Sequence, residues 1–157
     1  MIKIKLVAVG TIKEIFLKDG IAEYLKRLSR FAKVEIIEVE ESKIQNKSED
    51  VVKKEEGERL LKRLAKDDFV VLLDLKGSFY SSEELATQID ALISKGVSPI
   101  SFVIGGTLGL SEEVRQRANI KLSISKMTFT HQMCRMIILE QIYRAFKKNT
   151  APKLIKF

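Results

Sequence analysis

The chain has 157 residues, with 28 Lys and Arg against 21 Asp and Glu and a formal net charge of +7. Because 45% of the residues are hydrophobic and 31% are charged, the composition is that of a globular protein and excludes a disordered chain. One cysteine and one histidine cannot form an internal disulfide or supply the four ligands of a structural zinc site.

The first residues, MIKIKLVAVG, contain an apolar run of only a few residues before Thr11 and Lys13. This run is too short for a signal peptide and far too short for a membrane span. We therefore expect a cytoplasmic protein that does not associate with membranes.

Strand and helix patterns alternate along the sequence. Residues 2–9 predict a strand that Gly10 ends, apolar spacings of three and four predict a helix over 19–31 with Asp19 as N-cap, and residues 34–39 predict a second strand. The remaining predicted elements are a helix over 48–64, a strand over 69–75, a helix over 82–94, a strand over 100–104, a short helix capped by Ser111, a strand over 121–124, and a helix over 131–148. The tail from Asn149, which includes Pro152, is predicted to be irregular.

This alternation predicts an α/β fold in which helices flank a mainly parallel sheet. No repeat or linker divides the sequence, so residues 1–157 are expected to form a single domain. Ligands of such sheets bind beyond the carboxyl ends of the strands, which here are followed by loops at 73–77, 105–109 and 124–130. These three loops are the candidate ligand-binding segments.

The loop Gly105-Gly106-Thr107-Leu108-Gly109 matches neither GxGxxG nor the GxxxxGK pattern of nucleotide-binding proteins. Glycines at a strand end allow a flat ligand to lie close to the backbone, but the spacing alone favours a simple tight turn.

His131 and Arg135 are four residues apart in the last predicted helix, so they share one face. A base and a cation in this arrangement can act on a phosphate or an acidic N–H group. The alternative is that His131 merely begins the helix and Arg135 is a surface cation.

Positive charge is concentrated at the C-terminal end. Residues 121–157 contain eight basic side chains and one acidic one, a charge equal to that of the whole chain. This asymmetry is typical of a protein that binds a polyanion such as RNA, and it makes Arg144, Lys147 and Lys148 candidate RNA-binding residues. Solubility charge on an exposed helix is the alternative, and binding to an anionic membrane surface is a weaker one.

The last helix has a wide apolar surface. One seam consists of Met136, Leu139, Tyr143 and Phe146, and Ile137 and Ile138 extend it beyond what one buried face requires. A second copy of the chain would cover this excess, so the pattern predicts a homodimer.

Three segments carry a specific resemblance. Residues 102–110 (FVIGGTLGL), 122–135 (LSISKMTFTHQMCR) and 140–146 (EQIYRAF) closely resemble the SPOUT-class rRNA large subunit methyltransferase H family. Residues 6–10 also resemble that family's first strand, and the likeness extends from residue 1 to about residue 147.

The resemblance implies an S-adenosylmethionine-dependent enzyme that methylates N3 of a pseudouridine in a stem-loop of 23S rRNA, in the assembled ribosome. It also implies a homodimer and a C-terminal trefoil knot, with the cofactor-binding part at about 69–148. The family's cofactor positions correspond to Leu73, Gly105, Ile124, Ser125, Lys126, Met127, Thr128 and Phe129. They fall in the three loops that the strand pattern selected independently.

The chemistry implied by the family needs an acceptor that loses a proton. A uracil-type imide nitrogen is a good nucleophile only as its anion, so a base or a nearby cation is required. Arg135 is the candidate cation, and His131 is the candidate for a supporting role.

The C-terminal tail departs from the family pattern. Family members usually end in Tyr-His-Lys or Tyr-His-Arg, whereas this chain ends in NTAPKLIKF over residues 149–157. An alternative is therefore a non-catalytic ribosome-binding protein that retains the cofactor pocket. A third interpretation, a small-molecule enzyme, leaves the basic tail without a role.

Overall fold

The computed structural model describes residues 1–150 and confirms the predicted α/β alternation. The strands are β1 (Ile2–Val9), β2 (Ala32–Val39), β3 (Phe69–Phe79), β4 (Ile100–Ile104) and β5 (Ile120–Ser123). The helices are α1 (Ile15–Leu28), α2 (Glu49–Leu61), α3 (Ser82–Ser94), α4 (Glu112–Arg117) and α5 (His131–Thr150).

The strands form one five-stranded sheet in the order β2-β1-β4-β3-β5, and every pairing between neighbours is parallel. The prediction of a mainly parallel sheet is thus confirmed. All five carboxyl ends lie at the same edge of a parallel sheet, so the loops that follow β4 and β5 are brought together there, beside the second half of β3.

Helices cover both faces of the sheet, and alternate residues of β1 pack into the cores on the two faces. Ile4, Leu6 and Ala8 point into a core that includes buried residues of α1, α3 and α5. The alternate residues Val7 and Val9 point into a second core formed with residues of α2 and α4. A strand in this position must be apolar on both sides, which accounts for the continuous run at the end of β1.

The boundaries of α1 correct the prediction. The helix begins at Ile15 with Glu14 as N-cap, not at Asp19, and it ends at Leu28. Exposed Ile15 and Phe16 at its start obscure the amphipathic pattern that buried Leu17 and the later apolar residues follow.

The last helix is longer than predicted. It includes Asn149 and ends at Thr150, whose hydroxyl donates a hydrogen bond of 2.8 Å to the carbonyl of Phe146. The Asn149 side-chain amide also donates to the carbonyl of Ala86 in α3, at 3.1 Å. These bonds explain why Asn149 is helical and not part of an irregular tail. Pro152 and the rest of that predicted tail lie outside the described residues.

Candidate active site

A cleft of about 750 Å³ opens at the carboxyl edge of the sheet, where β3, β4 and β5 end and α5 begins. The loops at 105–109 and 124–130 contribute to its walls. Segment 73–77, which was predicted to be a loop, is instead part of β3, where the pairing with β5 shifts register between Leu73 and Ser78. Its residues 73–76 form a third part of the wall. The lining comes from Leu73–Lys76, Ile104–Leu110, Leu122, Ile124, Ser125, Met127–His131 and Cys134, with Lys53 from α2 and Arg115 from α4.

Most of the cofactor positions implied by the family resemblance lie in this one cleft. Those that line it are Leu73, Gly105, Ile124, Ser125, Met127, Thr128 and Phe129. Lys126 does not line the cleft. Its ammonium group lies 5.9 Å from the centre of the Phe79 ring, in a cation–π contact outside the cleft.

The glycine loop is both a tight turn and a wall of the cleft. A Cβ atom on Gly105 would lie 2.7 Å from Leu110 Cδ2, and one on Gly106 would lie 2.7 Å from Glu56 Oε1. Gly109 has a φ of +101°, and its N–H donates to the carbonyl of Gly106 at 3.1 Å. The loop therefore requires glycine for its own packing, and it presents bare backbone to a ligand.

Hydroxyl groups shape the loop between β5 and α5. The Ser125 hydroxyl accepts a hydrogen bond from the Met127 N–H at 3.0 Å, and the Thr130 hydroxyl accepts one from the Met133 N–H at 3.2 Å. These bonds leave the side chains of Met127 and Phe129 exposed beside the cleft. The loop thus offers apolar surface to a flat ligand.

His131, the first residue of α5, lines the cleft and is partly buried. Burial lowers the pKa of its imidazole. The carboxylate of Glu41 acts in the opposite direction, and the charge of Arg135 lowers the pKa further. Because its pKa is lowered from the usual value for histidine, His131 is mainly neutral at pH 7, and its imidazole can accept a proton there.

We expect the pKa of His131 in the folded protein to lie below its value in the unfolded chain. The only histidine of the sequence gives an unambiguous NMR titration. Glu41→Gln should lower the pKa further, because it removes a charge that favours the imidazolium. Glu40→Gln is the matched control and should leave it unchanged.

The same shift predicts how stability depends on pH. As the pH falls below the pKa of the unfolded chain, the unfolded state takes up the proton first, and this contribution to the free energy of unfolding is lost. If the pKa of His131 in the folded protein were at or above its unfolded value, its imidazole would not be partly buried beside Arg135 as described.

Arg135 lies behind the cleft wall and is only 1% exposed, so the alternative interpretation of Arg135 as a surface cation is wrong. Its guanidinium forms an ion pair with Glu38 at 2.5 Å and donates to the carbonyls of Val9 and Gly10 at 2.9 and 2.6 Å. The side chain therefore joins the start of α5 to the carboxyl ends of β1 and β2. It does not line the cleft itself.

The candidate RNA-binding residues lie at the other end of α5. Arg144 pairs with Glu140 at 2.9 Å, and Lys148 lies 3.9 Å from Glu83. At a rise of 1.5 Å per residue, Lys147 is about 24 Å along the helix from His131. The cleft and these cations are therefore separate regions of one protomer.

The sequence patterns do not single out Lys53 or Arg115 as residues of the cleft, and they include Asp74 only as a member of the candidate segment 73–77. Arg115 Nε donates to Asp74 Oδ2 at 3.1 Å, and Asp74 Oδ1 accepts from the Lys76 N–H at 3.0 Å. Asp74 directly follows the apolar run of β3, which was the one available signal. Lys53 lies in a charged helix that no motif connects to the glycine loop.

Over residues 1–150, no group of three or more His, Cys, Asp or Glu side chains is arranged to bind a metal ion. None of the helices in that range combines the length and apolar character needed to cross a membrane.

A family described as "Predicted SPOUT methyltransferase" matches residues 2–151, which is nearly the whole chain. The chain belongs to the SPOUT methyltransferase family. The all-parallel sheet and its flanking helices are consistent with the SPOUT fold, and the cleft lies in the region that the family resemblance assigned to the cofactor. The trefoil knot stays a prediction.

Several curated relatives share about half of their residues with this SPOUT methyltransferase. The chain is 50% identical to ribosomal RNA large subunit methyltransferase H of Bacillus thuringiensis over 150 residues, covering 93% of this chain and 94% of that protein. It is 50% identical over 149 residues to the protein of the same name from Acetivibrio thermocellus, with coverage of 92% and 94%. The Bacillus cytotoxicus protein of that name is 51% identical over 150 residues, with coverage of 93% and 94%.

Proposed function

We propose that this SPOUT methyltransferase uses S-adenosylmethionine to methylate N3 of a pseudouridine in a stem-loop of 23S rRNA, within the assembled ribosome in the cytoplasm. The observation that carries the proposal is the convergence of Leu73, Gly105 and the 124–129 loop on one cleft. The names of the relatives support a large-subunit rRNA substrate. Residues 69–148 form the proposed cofactor-binding part of a single domain.

The residues of the cleft fit S-adenosylmethionine. Gly105 and Gly106 present backbone without side chains, and Ile124, Met127 and Phe129 add apolar surface for a nucleoside. When bound, this cofactor supplies a methyl group already activated by its sulfonium. The chief task of the protein is then to align donor and acceptor, an effect worth up to roughly 7–11 kcal/mol.

The acceptor nitrogen must lose its proton, and we assign this part of the reaction to two residues of α5. His131 is mainly neutral at pH 7, and its imidazole faces the cleft, where it accepts the imide proton. Arg135 lies one helical turn behind it. We assign Arg135 the role of favouring the anionic nucleobase through its charge and of holding the first turn of α5 in place.

We also propose that the enzyme is a homodimer through α5 and the start of α1. Ile138, predicted to be surplus apolar surface, is buried in the core, but Ile137 is part of neither core of the described chain. Ile15 and Phe16 are exposed by 73% and 60%, and the nearby Thr11 carbonyl accepts from the Gln132 side chain at 3.3 Å. A second copy would cover these apolar side chains.

Light scattering should give twice the 17.9 kDa mass of one chain. Phe16→Glu should shift the protein toward monomer, because a carboxylate would be buried between the two copies. Val51→Glu is the control, since Val51 is an exposed apolar residue on α2, across the sheet from α1 and α5. A monomeric wild-type protein would refute the dimer.

Methyl transfer to ribosomes tests the function. Ribosomes from cells lacking the enzyme are incubated with the protein and S-adenosylmethionine, and their 23S rRNA is digested and analysed by mass spectrometry. The proposal requires one new methyl group on N3 of a pseudouridine. Ribosome binding without methyl incorporation would instead identify a non-catalytic binding protein, as the atypical 149–157 tail allows.

A further inference from the structure

The two sides of the cleft differ in chemistry. The loop between β5 and α5 supplies mainly apolar and hydroxyl groups, whereas the side formed by α2, α4 and the end of β3 carries Lys53, Arg115 and Lys76. The proposed methyl donor has the same polarity, with a flat nucleoside at one end and a charged amino acid at the other.

Lys53 and Lys76 line this side without an ion pair to any residue in the 1–150 range, and Lys53 is the one whose side chain lies against the glycine loop. Arg115 is engaged by the carboxylate of Asp74, and Lys76 is exposed at the end of β3. Lys53 is only half-buried, and its ammonium group makes no hydrogen bond or ion pair with any residue in the described part of the chain.

The glycine loop gives the Lys53 side chain access to the cleft. Its Cε atom is 3.9 Å from the position that a Cβ atom on Gly109 would occupy, and no atom outside residues 108–110 is closer to that position. Lys53 therefore lies against the open side of the turn that forms the cleft wall. A primary ammonium there is within reach of an anionic group lying on the backbone of the loop.

We propose that Lys53 binds the carboxylate of the amino-acid end of the methyl donor, a subsite that rests on the proposed function. The partly neutralised Arg115 provides a second, weaker positive potential on the same side. The nucleoside then lies toward the 124–129 loop, and the amino-acid end lies toward α2.

The test compares ligands that differ only at this end. S-adenosylhomocysteine carries the α-amino and carboxylate groups, 5′-methylthioadenosine carries neither, and decarboxylated S-adenosylhomocysteine carries the amine alone. Calorimetry is performed on the wild-type protein, on Lys53→Met, on Lys53→Arg and on Lys54→Met. Lys54 is the neighbouring exposed lysine of α2 and does not line the cleft.

Lys53→Met should weaken binding of S-adenosylhomocysteine about tenfold, the effect of losing one charge-assisted hydrogen bond. Binding of the two ligands without a carboxylate should change by less than about twofold. Lys53→Arg should retain most of the affinity, and Lys54→Met should behave as wild type.

Two outcomes would overturn the subsite. Equal losses for all three ligands would show that Lys53→Met disturbs the loop, and an unchanged S-adenosylhomocysteine affinity with weaker rRNA binding would assign Lys53 to an RNA phosphate. If the wild-type protein binds none of the three nucleosides, the proposed function itself fails, and the subsite fails with it.

Discussion

Replacing Arg135 with Met is expected to lower the free energy of unfolding by about 3 kcal/mol. The substitution keeps apolar volume, but it leaves the carbonyls of Val9 and Gly10 and the carboxylate of Glu38 without the donor that joins them. Methyl transfer should fall as well, because the first turn of α5 that carries His131 loses its attachment to β1. Urea denaturation of the purified variant measures the effect on stability.

Arg144→Met is the matched control for Arg135→Met. Arg144 forms an ion pair with Glu140 of its own helix, but its side chain is about one-third exposed, and such a solvent-accessible pair contributes about 0–1 kcal/mol. The free energy of unfolding of Arg135→Lys should be intermediate. Its ammonium group retains the charge, but it lacks the planar guanidinium geometry that donates to the carboxylate and both carbonyls at once. Equal stability of Arg135→Met and the wild type would show that the guanidinium does not hold these elements together.

Gly105→Ala should weaken S-adenosylhomocysteine binding about ten- to a hundredfold, a loss typical of forcing an extra carbon into a packed site. The added Cβ would lie 2.7 Å from Leu110 Cδ2 and 3.2 Å from the Gly109 carbonyl oxygen, so the 105–110 loop must open. Because this loop is one wall of the cleft, the change alters the shape of the proposed cofactor site directly. Calorimetry with the nucleoside measures the loss.

Gly96→Ala separates this effect from the general cost of replacing a glycine. Gly96 has a φ of +74° but no atom within 4 Å of the position of an added Cβ, and it follows α3 far from the cleft lining. Alanine there costs about 1–2 kcal/mol of backbone strain and should leave the affinity unchanged. If Gly105→Ala bound the nucleoside as tightly as Gly96→Ala does, the cleft would not be the cofactor site.

The sequence predicted the alternation of elements because the strands are buried on both faces and therefore have continuous apolar runs. The same reasoning located the strand-end loops, since parallel strands bring their carboxyl ends to one edge. It failed at the start of α1, where exposed Ile15 and Phe16 interrupt the helical pattern. Ile15 and Phe16 have no partner within the described core, so their apolar side chains belong to the protein surface and do not mark the buried face of α1.

The site was predicted less completely than the fold. The buried guanidinium of Arg135 is bound by Glu38, 97 residues earlier in the chain, and by the carbonyls of Val9 and Gly10, 126 and 125 residues earlier. No local sequence pattern encodes contacts between residues so far apart. Lys53 is one lysine in a helix rich in charge, and only the packing of α2 against the glycine loop distinguishes it from Lys54. These contacts between distant residues depend on the order of the strands in the sheet, and the periodicity of apolar residues does not predict that order.

The length of α5 places the candidate RNA-binding residues far from the proposed site of methyl transfer. If Lys147 and Lys148 bind phosphates of the rRNA, those phosphates lie about 24 Å, measured along the helix, from His131. An acceptor of one or two nucleotides therefore reaches the reacting groups without contacting the terminal cations of the same protomer. Salt should accordingly weaken the association of long substrates while leaving the intrinsic rate of methyl transfer nearly constant.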